Sequence, residues 1–274
     1  MTTIALQPDA AETVIGPPPA VRLRSAIGDT LAVQWRNLLG YVRTPQLLVF
    51  STIQPVIFVL LFRYVFGGAI HVPGTDYVDF LMPGIFAQTV VFGAMATAIG
   101  LSTDLQSGLV ERFRSLPIAR SAFLTGRTTA DLARNVLVLA LMCVVGFAVG
   151  WRVHTDVISF IGAMLLMLAF GYAMSWIFAT VGLIAKDPEA AQAASFPILA
   201  PLIFASSAFV PVSSMPSWLQ GFARNQPVSA VTTAVRGLTL GGATTSDVLI
   251  AIAWCVGIVA VAAPLAVRRF RRTV

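Results

Sequence analysis

Charge is scarce in this chain. Only 11% of its 274 residues are Asp, Glu, Lys or Arg, about half the share that wets the surface of a soluble globule. That shortage excludes a soluble enzyme. With 57% apolar residues and a mean hydropathy of +0.83, the composition is that of a polytopic helical membrane protein. Lysine is almost absent: Lys186 stands alone against 17 Arg. The net charge of +6 would indicate nucleic acid only if the basic residues were gathered on one soluble face. They are spread along the chain, so no nucleic-acid partner is expected.

Cysteine and histidine number two each. Cys143 and Cys255 sit in apolar runs and read as small buried hydrophobes, while His71 and His154 are isolated in loops. Structural zinc needs about four ligands, so no metal site is expected. No G-x-x-x-x-G-K-[ST] sequence occurs, and without that loop the chain has no nucleotide site of its own. The 12 acidic residues are expected in loops, in the tail or at helix ends, Asp76, Asp79, Asp104, Asp131, Asp156 and Asp247 among them. An ion-coupled transporter or pump normally keeps such groups inside the bilayer. Nor is there a charged ring or filter-like loop to suggest a channel. If the protein moves a solute uphill, the energy comes from another chain.

What is present is hydrophobic length. A helix needs about 20 mostly apolar residues to cross a ~30 Å hydrocarbon core. Six runs qualify: Leu47–Phe66, Leu81–Leu101, Leu132–Trp151, Val157–Ala185, Ala190–Val210 and Val248–Val267. Arg134 and Asn135, at the start of the third, are expected near the interface. Sorting basic residues by alternate sides puts 14 on one side and 4 (Arg63, Arg152, Arg224, Arg236) on the other. By the positive-inside rule both termini are cytoplasmic. Residues 1–21 carry Pro17-Pro18-Pro19 and no basic residue, so they read as a disordered cytoplasmic tail rather than a signal peptide. Residues 22–274 form one transmembrane domain.

Three further segments are patterned. Ile27, Leu31, Trp35, Leu38 and Val42 recur at helical spacing before the first span. They share one face, as in an amphipathic helix lying in the inner interface. Between spans two and three, Glu111-Arg112-Phe113-Arg114-Ser115-Leu116-Pro117 reads as a short charged helix stopped by its proline. Phe113 and Leu116 give it an apolar knob suited to a groove on another protein. Before the sixth span, Met215, Trp218, Leu219 and Phe222 form one short apolar face, and Ser229 is expected to cap a second helix carrying Val231, Val235 and Leu238. Neither helix can span, so both should dip into, or lie on, the outer leaflet. Candidate path residues are Gln54, Phe58 and Phe62, four apart on span one, with Gln88 and Thr89 on span two and Phe204 in span five.

In order and spacing these elements resemble the membrane-spanning subunits of ABC-2 type ABC transporters, especially bacterial daunorubicin-resistance-type drug and lipid exporters. The likeness runs from about Gln34 to Arg269. It is carried by Glu111 to Pro117 and by Phe209-Val-Pro211, Met215-Pro216-Ser217-Trp218-Leu219 and Asn225-Gln226-Pro227 through Arg236. The resemblance implies six helices, an N-terminal interface helix, a cytoplasmic coupling helix at Glu111–Pro117 and re-entrant outer helices before helix six. It implies a separate ABC ATPase subunit holding ATP and Mg, a second permease subunit in a homodimer or heterodimer, and a place in the bacterial cell membrane. It also implies a hydrophobic substrate, drug or lipid, moved outward. An ATPase-binding membrane anchor or assembly factor and an ABC importer permease are the alternative readings.

Overall fold

The computed structural model describes residues 34–35, 45–68, 70, 72, 74–108 and 120–273; these are largely helical, with no strand among them. The helices are α1 (Pro45–Leu60), α2 (Tyr77–Gln106), α3 (Arg120–Ala148), α4 (Val157–Ile184), α5 (Pro188–Phe204), α6 (Ser217–Asn225), α7 (Pro227–Leu240) and α8 (Thr245–Thr273). Helix α1 closes in a π-helical turn over Leu61–Phe66. Within α2, α3, α4 and α8 the stretches Tyr77–Gln106, Leu124–Ala148, Val157–Ile184 and Thr245–Phe270 are long and apolar enough to cross a membrane. The fifth apolar run is helical for 17 residues, contains Pro197 and Pro201, and leaves the helix after Phe204. Two prolines one turn apart remove two ladder N–H groups, which accounts for the early end. Of the interface helix, only Gln34 and Trp35 are described, and both are helical. The Glu111–Pro117 segment lies outside the described residues.

Local chemistry starts and stops these helices. The Asp156 carboxylate accepts from the N–H groups of Ile158 and Ser159 at 3.0 and 3.1 Å, capping α4. The Ser159 hydroxyl, and then those N–H groups, hold the Asp156 carboxyl below its ordinary range. Asp187 caps α5 by accepting from the Ala190 N–H at 2.6 Å, ahead of Pro188 in the first helical turn. Helix α7 begins at Pro227, not at Ser229 as its hydroxyl suggests. Ser229 is already inside the helix and its Oγ accepts from the Ser207 N–H at 2.9 Å, a tie between segments rather than a cap.

Helix α2 is the centre of the bundle. Every residue from Tyr77 to Val91 is buried, and its most extensive contact is with α4. Small residues let backbones meet on two sides of it. A Cβ at Gly84 would overlap the Ala208 carbonyl oxygen, and one at Gly182 of α4 would lie 2.5 Å from the Ala98 carbonyl oxygen of α2. Helix α8 lies at the opposite extreme, with Leu249, Ile250, Val256, Val261 and Leu265 exposed. One end of the bundle packs Leu101, Leu124, Trp176, Leu183, Ala266 and Phe270 together. Arg127, Lys186, Arg268 and Arg269 belong to the helix ends gathered there, while Arg152, Arg224 and Arg236 belong to the other end.

Candidate functional site

Three of the sequence-nominated aromatic residues meet on a fourth. Phe209 stacks on Phe62 at 4.7 Å between ring centroids, with Phe58 at 6.2 Å and Phe204 at 6.0 Å. The Tyr77 hydroxyl donates to the Phe209 carbonyl at 3.1 Å, fixing the irregular segment that follows α5. Phe209 is buried, whereas Phe204 is half exposed, so the group forms a wall with one open rim. Its helical repeat on α1 was legible. Phe209 was missed as a path residue because it lies outside any helix, where periodicity gives no signal.

One turn before Phe58 on α1, Gln54 lines a cavity of about 130 Å³ with Thr89, Phe92 and Gly93 of α2 and Arg134 and Asn135 of α3. Gln54 and Thr89, nominated separately, thus face the same space. Arg134 donates through Nη2 to the Gly93 carbonyl and to Asn135 Oδ1, the latter at 3.3 Å. Next to them the Thr97 hydroxyl donates to Asp131 Oδ2 at 2.6 Å. The residues that line this cavity close over Gly93: a Cβ there would lie 2.6 Å from Asn135 Oδ1 and 2.9 Å from Arg134 Nη2, so those side-chain ends would have to shift.

These contacts correct one expectation. Asp131 is not at a helix end but 11 residues into α3, and it is buried against α2 with Arg134 and Asn135, all three at least 95% buried. The reason is that α3 starts at Arg120, so Arg127, Asp131, Arg134 and Asn135 follow one another at helical spacing on a single polar face. That face turns inward. Arg127 pairs with Asp104 at the basic end of α2. Gly93 stands 11 residues before Asp104 on α2, which sets the Arg134 contact about 16 Å along the helix axis from the Arg127 pair. Gln88 does not share the cavity with Thr89. It is 1% exposed, and neither its amide oxygen nor its amide nitrogen has a hydrogen-bond partner.

Toward the other end the short helices are tied down. The Arg236 guanidinium donates to the Phe80 carbonyl (3.1 and 2.9 Å) and to the Ser207 carbonyl (3.0 Å), and stacks on the Phe80 ring at 3.6 Å. The Gln226 amide donates to the Leu202 and Ala205 carbonyls, holding the start of α7 against the end of α5. Thr155 donates to the Leu238 carbonyl at 2.6 Å and the His154 N–H to that of Thr239 at 2.8 Å. The Arg152 N–H bonds Asp79 at 2.9 Å. An open cavity of about 870 Å³ lies here, lined by Asp76, Asp79, His154, Arg236 and Asp247.

Chemically, an aromatic wall beside a small polar cavity, in which the Thr89 hydroxyl is spent on the Ile85 carbonyl at 2.7 Å and Asn135 Nδ2 has no hydrogen-bond partner, suits a largely apolar molecule bearing a hydrogen-bond acceptor. Among the described residues no group of three or more His, Cys, Asp or Glu could hold a metal ion. The ABC-2 type transporter family profile matches residues 29–240. The chain is 37% identical to the daunorubicin resistance ABC transporter permease protein DrrB1 of Streptomyces coeruleorubidus, over 90% of this chain and 87% of that one. It is 30% identical to the doxorubicin resistance ABC transporter permease protein DrrB of Mycobacterium tuberculosis, over 67% and 66% of the two chains. A bundle of apolar helices with polar groups turned inward, and matches of this length, lead to one conclusion: the chain belongs to the ABC-2 type transporter family of membrane permeases.

Proposed function

We propose that this protein is the membrane-spanning half of an ATP-driven exporter that moves hydrophobic or amphiphilic compounds outward. The observation that carries the proposal is the family match over residues 29–240. The absence of a Walker sequence supports a separate ATPase chain. In this reading α1 and α5 complete a set of six spans with both termini cytoplasmic in the bacterial cell membrane. A second permease subunit, identical or different, faces the first across the path.

Substrate enters beside Gln54, Thr89, Arg134 and Asn135, passes along Phe58, Phe62, Phe204 and Phe209, and leaves through the outer cavity. Gln88 is a further polar group available when the helices shift, since an unpartnered buried amide costs about 1–3 kcal/mol in the state that buries it. Glu111 to Pro117 docks in the ATPase. ATP binding closes the two ATPases, the coupling helices pass that motion to the spans, and hydrolysis resets them. Supporting this are the drug-resistance names of the relatives and a wall fitted to apolar rings.

Co-expression with the ATPase and reconstitution into lipid vesicles tests the reading. Substrate should stimulate ATP hydrolysis and accumulate in inverted vesicles. Reversing both Glu111 and Arg114 should leave ATPase activity while abolishing transport. Undiminished transport by that double reversal would remove the coupling role, and ATPase binding without any transport would leave only an anchor.

A further inference from the structure

Helices α4 and α8 leave a groove between them of about 580 Å³, bounded by Ile177, Val181 and Ile184 on one side and Trp254, Val261 and Leu265 on the other. Its walls are apolar. The one hydroxyl in it, on Thr180, is spent on the Trp176 carbonyl at 3.1 Å. Trp254, Val261, Leu265 and Ile184 are exposed along it, so the groove opens sideways rather than into the bundle. At Gly257, on its floor, an added Cβ would meet no atom within 4 Å. From Trp254 to Leu265 the groove follows α8 for about 16 Å, close to half of a ~30 Å hydrocarbon core. That is the depth of one leaflet.

The same helix face continues into charge. Trp254, Gly257, Ile258, Val261, Ala262 and Leu265 advance by three and four residues, and the next step on that face is Arg268 and Arg269. On the other wall, Lys186 follows Ile184 by two residues, just past the end of α4. Lys186 and Arg268 are both exposed. Two acids follow Lys186 closely in sequence: Asp187, whose carboxylate accepts from the Ala190 N–H as it caps α5, and exposed Glu189 in the first turn of that helix; Asp104 at that end is paired with Arg127. The groove is thus an apolar slot about as long as one leaflet is deep, with three basic residues, Lys186, Arg268 and Arg269, against two acids, Asp187 and Glu189, at one end.

We infer that this groove is a binding site for an anionic phospholipid of the leaflet on the basic side of the protein. One acyl chain lies along Trp254, Gly257 and Val261, and the headgroup phosphate sits between Lys186 and Arg268. The apolar length selects a lipid chain, and the charge at its end selects an anionic headgroup over a zwitterionic one. This site is separate from the path lined by Gln54 and Phe209, which lies on α1, α2, α3 and the segment after α5.

Trp254 supplies the readout. The full-length permease is placed in phosphatidylcholine nanodiscs, and brominated phosphatidylglycerol or brominated phosphatidylcholine is titrated in. Quenching that is absent in the Trp254→Phe protein is taken as the Trp254 signal. Phosphatidylglycerol should quench at a several-fold lower mole fraction, about fivefold for each basic residue engaged. Lys186→Gln with Arg268→Gln should erase the preference and leave phosphatidylcholine quenching unchanged. Gly257→Phe should shield Trp254 from both lipids without altering the elution profile or helicity. Equal quenching by the two lipids in the wild-type protein overturns the inference, and so does a preference that survives the double substitution. A third outcome also overturns it: Trp254 inaccessible to both lipids, with Val261→Cys in a Cys143→Ala, Cys255→Ala background cross-linking two copies. That result would mean a second subunit covers the groove.

Discussion

Helices α2 and α8 are nearly equal in length and both apolar, yet one is enclosed and the other bare. On α2 each glycine that packs has something pressed against it: the Ala208 backbone over Gly84, the Arg134 and Asn135 side chains over Gly93, the Arg127 guanidinium over Gly100. On α8 the space beside Gly257 is open. In water, burial would separate core from surface by polarity. In lipid it cannot, because the surroundings are as apolar as the interior, and the enclosed helix is distinguished instead by small residues and inward polar groups. Here α2 carries Gln88, Thr89 and Thr97 buried, while the exposed face of α8 is Leu, Ile, Val and Trp.

The sharpest break in this contrast is Gly84→Leu. The new side chain has no room before the Ala208 carbonyl, and overpacking of this kind costs about 3 kcal/mol or more. We expect the protein to be lost from the membrane fraction, and full accumulation would show that the 205–211 segment can move away. Next in size is Arg134→Gln. The hydrogen bond of a charged group to a carbonyl is worth about 1.5–3 kcal/mol, so transport should fall about tenfold or more, with helicity retained by circular dichroism. Transport at the wild-type level would remove Arg134 from the path.

A smaller loss should follow Arg236→Gln, which gives up the Ser207 carbonyl and the Phe80 ring but can keep one bond to the Phe80 carbonyl. A destabilisation of about 1–2 kcal/mol is expected in thermal unfolding of the purified protein. An unchanged midpoint would mean that the hydrogen bonds of Gln226, Ser229, His154 and Thr155 hold the short helices without it. Least of all is Gly257→Leu, expected within about 0.5 kcal/mol of wild type in the same measurement. A drop comparable to that of Gly84→Leu would erase the distinction between the two helices.

Much of the fold was legible because hydrophobic length is a coarse signal that survives without tertiary information. The runs at Leu81–Leu101, Val157–Ala185 and Val248–Val267 each lie within or nearly within an observed helix. Helix α3 was harder. Its first third is polar, and from sequence a polar stretch before an apolar run looks like loop. Only the partner helix reveals that Arg127, Asp131, Arg134 and Asn135 face inward onto α2. The site was legible in pieces for the same reason: spacing on one helix shows Gln54, Phe58 and Phe62 on a shared face, but it cannot say which residues of other segments meet them. Phe209 and Asn135 enter only through tertiary contacts, and Ser229 was misjudged because its true partner lies 22 residues away.

The enclosure of α2 also has a consequence for biogenesis. It is an early helix, and its main partner α4 is complete only at Ile184, roughly 80 residues after Gln106. At about 5–20 residues per second, a helix whose surface is shaped for protein contact waits several seconds in lipid or at the translocon. During that wait its Gln88 and Gly93 face surroundings for which they are not designed. The assembly window, more than the finished bundle, is where substitutions along α2 would expose the chain to quality-control proteases.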